Sequence, residues 1–299
     1  MIFPTDRTHP RTGASHPPWA PTRRAGHHRA VSTPTIVLLH GQPDTSASFQ
    51  PLRRRLREQL PGVRVLTPDR PGYGANPRPA LGYAGNVEWL LGWLAGAGAG
   101  PTVLVGHSWA GGIALLAGAQ APDRVAGLVL LASVGPSCLL AVDRLLAAPV
   151  AGELIAWGTL QLGRPLISRR ARHLVISQQD VADRPYARTS GLAMRHRPVW
   201  RSFLTEQRAL LRELPAIEHS LARIDLPTAV ISGTRDPLIP AETPRQLHRR
   251  IDGSTEHRID GGGHDLQLRE PVAVARLVAE FARPLIDDRS AARAAGDVS

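Results

Sequence analysis

The chain is predicted to fold as an α/β protein, a mostly parallel sheet with helices on both faces and an inserted helical lid. Three observations predict this. Six strand-length runs are spread over residues 34–283, and segments of helical period alternate with the first four of them. Between residues 134 and 224 the strands stop and only helical spacing continues, after which strands resume. Strands of a parallel sheet covered on both faces read as continuous apolar runs, which is how most of these read.

Residues 1–33 hold Pro, Thr, Arg, His and Gly without periodicity and are expected to be a flexible extension. Thr35 to Leu39 is a first apolar strand and ends in His40-Gly41-Gln42-Pro43. Ser48 to Leu60 places Phe49, Leu52, Leu56 and Leu60 at helical spacing with arginines outward. Val63 to Leu66 is the next strand, Asp69-Arg70-Pro71-Gly72-Tyr73-Gly74 a loop, and Tyr83 to Ala97 a helix. The glycines from Gly96 to Gly100 precede a strand instead of following one, which excludes a dinucleotide fingerprint.

Val103 to Gly112 then reads as strand, sharp turn and helix, with Ser108 on the turn and the helix running from Trp109 to Gln120. Val125 to Ala132 is a fully apolar strand. In the inserted block the helical segments are Leu139 to Ala148, Ala151 to Leu162, Leu166 to Ser177 and Val199 to Leu214. Thr228 to Ser232 is a strand leading into Gly233-Thr234-Arg235-Asp236-Pro237, followed by a helix from Ala241 to Arg250. A last strand (Thr255 to Ile259), the turn Asp260-Gly261-Gly262-Gly263-His264 and a closing helix (Leu266 to Phe281) complete the core. The organisation expected is a core of 34–133 and 225–283, a helical cap of 134–224, and a flexible tail of 284–299.

In a parallel sheet every strand points the same way, so residues just past the strand ends gather on one edge. Gln42, Ser108, Asp236 and His264 all lie there. A serine on a strand-to-helix turn stands clear of the sheet, while the N–H of Trp109, in the first helical turn, is an unpaired donor where the helix dipole favours negative charge. A serine hydroxyl is a poor nucleophile at neutral pH and requires an adjacent base, itself held in one tautomer by a third group. Asp260 and Asp265 flank His264 and compete with Asp236 for that third role, although neither follows a separate strand.

On His40-Gly41-Gln42-Pro43, Asp69 to Gly74, Gly106-His107-Ser108-Trp109-Ala110-Gly111, Gly233 to Pro237 and Gly262-Gly263-His264, in that order, the chain resembles the α/β-hydrolase superfamily in its serine-nucleophile branch over about residues 34–283. The resemblance implies Ser108 as nucleophile, His264 as general base and then acid, and Asp236 as the carboxylate that orients it. It also implies an oxyanion hole from the backbone N–H groups of Gln42 and Trp109. His40, Asp69 and the Pro-Gly-Tyr-Gly turn are read as scaffold. Two features depart from the family pattern: Ala110 stands where the motif most often has glycine, and no alternating strand pair precedes Thr35. The His-Gly-x-Pro and Pro-Gly-Tyr-Gly motifs are also similar to the epoxide-hydrolase and haloalkane-dehalogenase branches, whose nucleophile is aspartate, where this chain has serine.

A serine nucleophile of this kind implies an acyl-enzyme and cleavage of a small, largely apolar ester, thioester or lactone, a carboxylesterase-like activity. The alternatives are a carbon-carbon bond hydrolase or a cofactor-free lyase or peroxidase on the same triad, and a non-catalytic ligand-binding protein. His107, Trp157, Met194 and Trp200, with Leu160 and Phe203, are the expected substrate contacts beneath the lid.

The formal charge of +11 does not point to nucleic acid. All 36 basic residues are arginine, scattered rather than clustered, and no groove-reading module accompanies them. No apolar run reaches the roughly 18 residues needed to span a bilayer, and residues 1–33 contain no apolar export segment. Cys138 is the single cysteine, so no internal disulfide can form, in agreement with a cytoplasmic location. The sequence carries no metal-ligand cluster, phosphate loop or flavin motif, and His27-His28 lacks a second ligand pair, so neither metal nor cofactor is expected.

Overall fold

The computed structural model describes residues 33–159 and 199–296, with side chains to residue 287. Six strands, β1 (Thr35–Leu39), β2 (Arg64–Leu66), β3 (Thr102–His107), β4 (Val125–Leu131), β5 (Thr228–Gly233) and β6 (Thr255–Ile259), form one sheet in the order β2-β1-β3-β4-β5-β6. All five neighbouring pairs are parallel. This is the α/β class that the apolar runs predict. From β1 the chain moves outward to β2, then returns across β1 to β3 and continues the other way. The order therefore reverses between β1 and β3, and in open sheets the crevice at such a point is where ligands bind. The loop after β1 and the turn after β3 both open onto it.

Side chains alternate across the central strands, which divides the core into two layers. Val37 and Leu39 of β1 and Leu104 of β3 face a layer formed with α2 (Tyr83–Gly96) and α3 (Trp109–Gln120). Ile36, Leu38, Val103 and Val105 face the layer against α1 (Gln50–Gln59) on the other side. Helix α3 is buried from Trp109 to Gly118, as expected of a helix apolar on every side.

The inserted block contributes α4 (Ala141–Ala147), α5 (Ala151–Trp157) and α6 (Val199–Ser220) to the described residues. The segment predicted helical from Leu166 to Ser177 lies outside them. Helix α6 departs from the sequence reading in two ways. It continues through Pro215 to Ser220, beyond the predicted end at Leu214. Its second half is also part of the core, since Ala209, Leu210, Leu214 and Ile217 pack in the layer with α2 and α3. That burial offsets the one backbone hydrogen bond an internal proline removes.

After β5 come α7 (Glu242–Arg250), β6, a single turn α8 (Leu266–Arg269) and α9 (Pro271–Gly296). The closing helix predicted from Leu266 to Phe281 is therefore broken at Glu270, because a residue before proline is pushed out of the helical region and Pro271 has no N–H to donate to the preceding turn. Helix α9 runs through Pro284 to Gly296, into the stretch expected to be a tail. Leu285 and Ile286 pack against the lower core layer, and the Ala- and Arg-rich stretch beyond has high helix propensity. No helix among the described residues is long and apolar enough to cross a membrane.

Candidate active site

Ser108 sits between β3 and α3 with φ of 53° and ψ of −123°, a conformation that costs an L-residue roughly 1–3 kcal/mol. The turn is tight. A Cβ on Gly106 would fall 2.7 Å from the carbonyl oxygen of Ala110, so glycine is required for the strand to run this close to its own helix. The turn is held by the Ser108 N–H donating to the Leu131 carbonyl at 3.0 Å, and by the Ser108 carbonyl accepting from Gly111 at 2.9 Å and Val134 at 3.1 Å. Ala110 is accommodated without exposure.

The turns after β3, β5 and β6 bring three predicted residues together. Ser108 Oγ lies 2.9 Å from His264 Nε2, and His264 Nδ1 lies 2.8 Å from Asp236 Oδ2. The other Asp236 oxygen accepts from the N–H groups of Leu238 (2.8 Å) and Ile239 (3.0 Å). Burial opposes the charge on Asp236, but the His264 imidazole and these two amides outweigh it and hold the carboxyl below its ordinary range. An ionised Asp236 can only accept, so His264 Nδ1 carries the proton and Nε2 is free to accept from Ser108. The rival Asp260 is engaged elsewhere, accepting from the Thr234 hydroxyl at 3.1 Å.

Of the residues predicted to supply the oxyanion amides, Trp109 follows the serine directly, and Gln42 follows Gly41, on which a Cβ would fall 2.9 Å from Ser108 Cβ. As the first residue of α3, Trp109 has an N–H with no intrahelical acceptor. The Gln42 N–H has no hydrogen-bond partner among the described residues. The Gln42 side chain donates from Nε2 to Gln207 Oε1 at 2.9 Å, and Gln207 Nε2 donates to Asp143 Oδ1 at 2.8 Å.

The predicted substrate contacts are not gathered in the same way. His107 is buried behind the triad, with Nε2 donating to the His264 carbonyl at 3.1 Å and its ring 4.9 Å from the His264 ring. Burial and the neighbouring His264 push its pKa down to about 4. Trp157 is 43% exposed on α5, and Trp200 lies beneath the Arg201 guanidinium at 5.1 Å. Among the described residues no contact joins either tryptophan to the triad. Met194 and Leu160 lie outside the described residues.

What the sequence reading missed is a buried charged group directly beneath the site. Arg70 and Glu206 are both fully buried and form a two-pronged ion pair. Tyr73 Oη donates to Glu206 Oε2 at 2.8 Å. Arg70 also donates from Nε to the His40 carbonyl at 2.7 Å and from Nη2 to the Gly41 carbonyl at 2.9 Å. Burial lifts the Glu206 carboxyl above its ordinary range while Arg70 pulls it back; burial also opposes the Arg70 charge, and Glu206 outweighs it. A signal was present: Glu206 occupies an apolar-face position of α6, in line with Val199, Phe203, Leu210, Leu214 and Ile217.

A family model described as the alpha/beta hydrolase family matches residues 36–277. The 2-hydroxymuconate semialdehyde hydrolase of Pseudomonas putida is 28% identical over 265 residues, covering 82% of this chain and 85% of that one. A crystal structure of a putative lipase from Acinetobacter baumannii superposes with a TM-score of 0.70 at 20% identity, over 86% of this chain and 85% of the other. The haloalkane dehalogenase DbeA-M1 loop variant from Bradyrhizobium elkanii gives 0.70 at 20% identity, over 87% and 92%. The two structures share the fold.

Proposed function

The chain belongs to the alpha/beta hydrolase family, and on that premise we propose that it is a serine hydrolase acting on a small, largely apolar ester, thioester or lactone through an acyl-enzyme. The observation that carries this reading is the 2.9 Å approach of Ser108 Oγ to a His264 whose other nitrogen is held 2.8 Å from Asp236. In the first half-reaction Ser108 Oγ attacks the substrate carbonyl carbon and its proton passes to His264 Nε2. The resulting oxyanion is held by the N–H groups of Gln42 and Trp109, and Asp236 stabilises the imidazolium. Collapse expels the leaving group, which takes the proton from His264 and leaves Ser108 acylated. Water then enters, gives a proton to His264 and attacks the acyl carbon, and the acid departs as Ser108 recovers its proton.

A second reading on the same residues is hydrolysis of a carbon-carbon bond beside a ketone. It is favoured by the 28% identity, across 85% of its length, to a protein named a 2-hydroxymuconate semialdehyde hydrolase.

Labelling the purified protein with a fluorophosphonate, read by intact mass, tests the assignment. A single adduct that disappears in Ser108→Ala is expected; a folded protein that takes no adduct overturns it. Comparing turnover of p-nitrophenyl butyrate with that of 2-hydroxymuconate semialdehyde then separates the two readings.

A further inference from the structure

The Gly41–Gln42 peptide presents its two ends to opposite sides, because carbonyl and N–H point apart across a trans peptide bond. On one side the Gly41 carbonyl accepts from Arg70 Nη2 and from His40 Nδ1, each at 2.9 Å. The His40 tautomer that donates there is the one whose Nε2 accepts the Arg70 backbone N–H at 3.0 Å. On the other side is the Gln42 N–H, and Gly41 itself lies against the nucleophile, where a Cβ would fall 2.9 Å from Ser108 Cβ. A guanidinium pinning the carbonyl therefore fixes where the amide points, and the charge polarises that peptide so that its N–H is a stronger donor.

The guanidinium is in turn held by Glu206 of α6. The same residue's backbone carbonyl accepts from Trp109 Nε1 at 3.1 Å, and Trp109 is sandwiched between the Tyr83 ring (3.9 Å between centroids) and Arg70 (4.8 Å to its ring). Next along the helix, Gln207 accepts from the Gln42 side chain. Both residues that offer an oxyanion amide are thus tied to one turn of one helix.

We infer that Arg70 and Glu206 form a positioning pair for the oxyanion hole, through which the seating of α6 sets the direction of the Gln42 amide. The inference deepens the serine-hydrolase reading and rests on it. Neither residue touches substrate; they act through the Gly41–Gln42 peptide.

The test compares the wild type with Arg70→Met/Glu206→Leu, which replaces the buried pair by apolar side chains of similar volume, a change buried ion pairs often tolerate. Fluorophosphonate labelling of Ser108 is resolved into a limiting rate and a half-saturating concentration across pH. Losing one oxyanion donor costs about 10²–10³-fold, so a misdirected one is expected to lower the limiting rate about 10–100-fold. The half-saturating concentration stays within about twofold and the pH midpoint does not move, since the triad is intact. Hydrogen exchange of the peptide carrying residues 40–42 accelerates in the variant. A folded double variant that labels at the wild-type rate overturns the proposal, and so does a shifted pH midpoint, which would put the defect in His264. Should the double variant not fold, Glu206→Gln serves in its place, with a several-fold fall in the limiting rate expected and none overturning the idea. A folded wild type that is never labelled would instead defeat the hydrolase reading, and unchanged exchange in the variant would then defeat the positioning role separately.

Discussion

Gly41 stands so close behind Ser108 that a side-chain carbon built on it would lie 2.9 Å from Ser108 Cβ and 3.3 Å from the His107 carbonyl oxygen. Neither obstacle can swing aside, because Ser108 is fixed by its strained turn and the His107 carbonyl belongs to β3. Gly41→Ala is therefore expected to push the loop off the nucleophile and misplace the Gln42 amide. Acylation should slow by about 10²-fold while the far-ultraviolet circular dichroism stays unchanged. Fluorophosphonate labelling rates check this.

On the proposed mechanism, Ser108→Ala lowers kcat by on the order of 10⁶ and Asp236→Asn by roughly 10⁴. In the second variant the amide nitrogen would donate toward His264 Nδ1 and favour the tautomer with its proton on Nε2, facing Ser108. Steady-state kinetics on a turned-over ester measure both, and wild-type rates in either would remove that residue from its role.

Acid should weaken the fold through His107. Its folded pKa of about 4 lies below the roughly 6.5 of an unfolded histidine, so between those values the unfolded chain binds the extra proton. Stability is full above about pH 6.5 and falls as pH drops toward 4, by about 3 kcal/mol from this residue. His107→Gln does not titrate and can still donate to the His264 carbonyl. Urea midpoints from pH 4 to 8 should fall less steeply in the variant than in the wild type, which keeps His40 constant in both.

The buried ion pair predicts opposite results for single and double replacement. Arg70→Met alone leaves Glu206 charged and unpaired in the core, at a cost of about 3–5 kcal/mol, whereas Arg70→Met/Glu206→Leu is expected near wild-type stability. Equilibrium urea denaturation distinguishes the two outcomes.

The sheet was legible because β1, β3, β4 and β5 are short, mostly apolar runs with a turn signal at their ends, and the turns after the first, third, fifth and sixth strands carry Gln42, Ser108, Asp236 and His264. The limits of legibility are as physical. Pro215 and Pro284 read as helix ends, yet Ile217 beyond the first, and Leu285 and Ile286 beyond the second, are packed in the core layers and hold their helices through them. The helical period puts Glu206 on the apolar face of α6 but does not name what neutralises it there. Its partner Arg70 lies 136 residues away, and only the folded backbone puts the two in contact.

Strand β4 pairs with β5 in register from Leu128 opposite Thr228, so the whole of residues 132–227 must leave the ribosome before that edge can close. At synthesis rates of about 5–20 residues per second this is roughly 5–20 s, during which Val125–Leu131 presents an unpaired, wholly apolar edge. The half of the sheet that carries Ser108 is made first and waits for the half that carries Asp236 and His264. Synthesis is thus expected to pass through a nascent intermediate with that apolar edge open, so that co-expressed chaperones should raise the yield of folded protein.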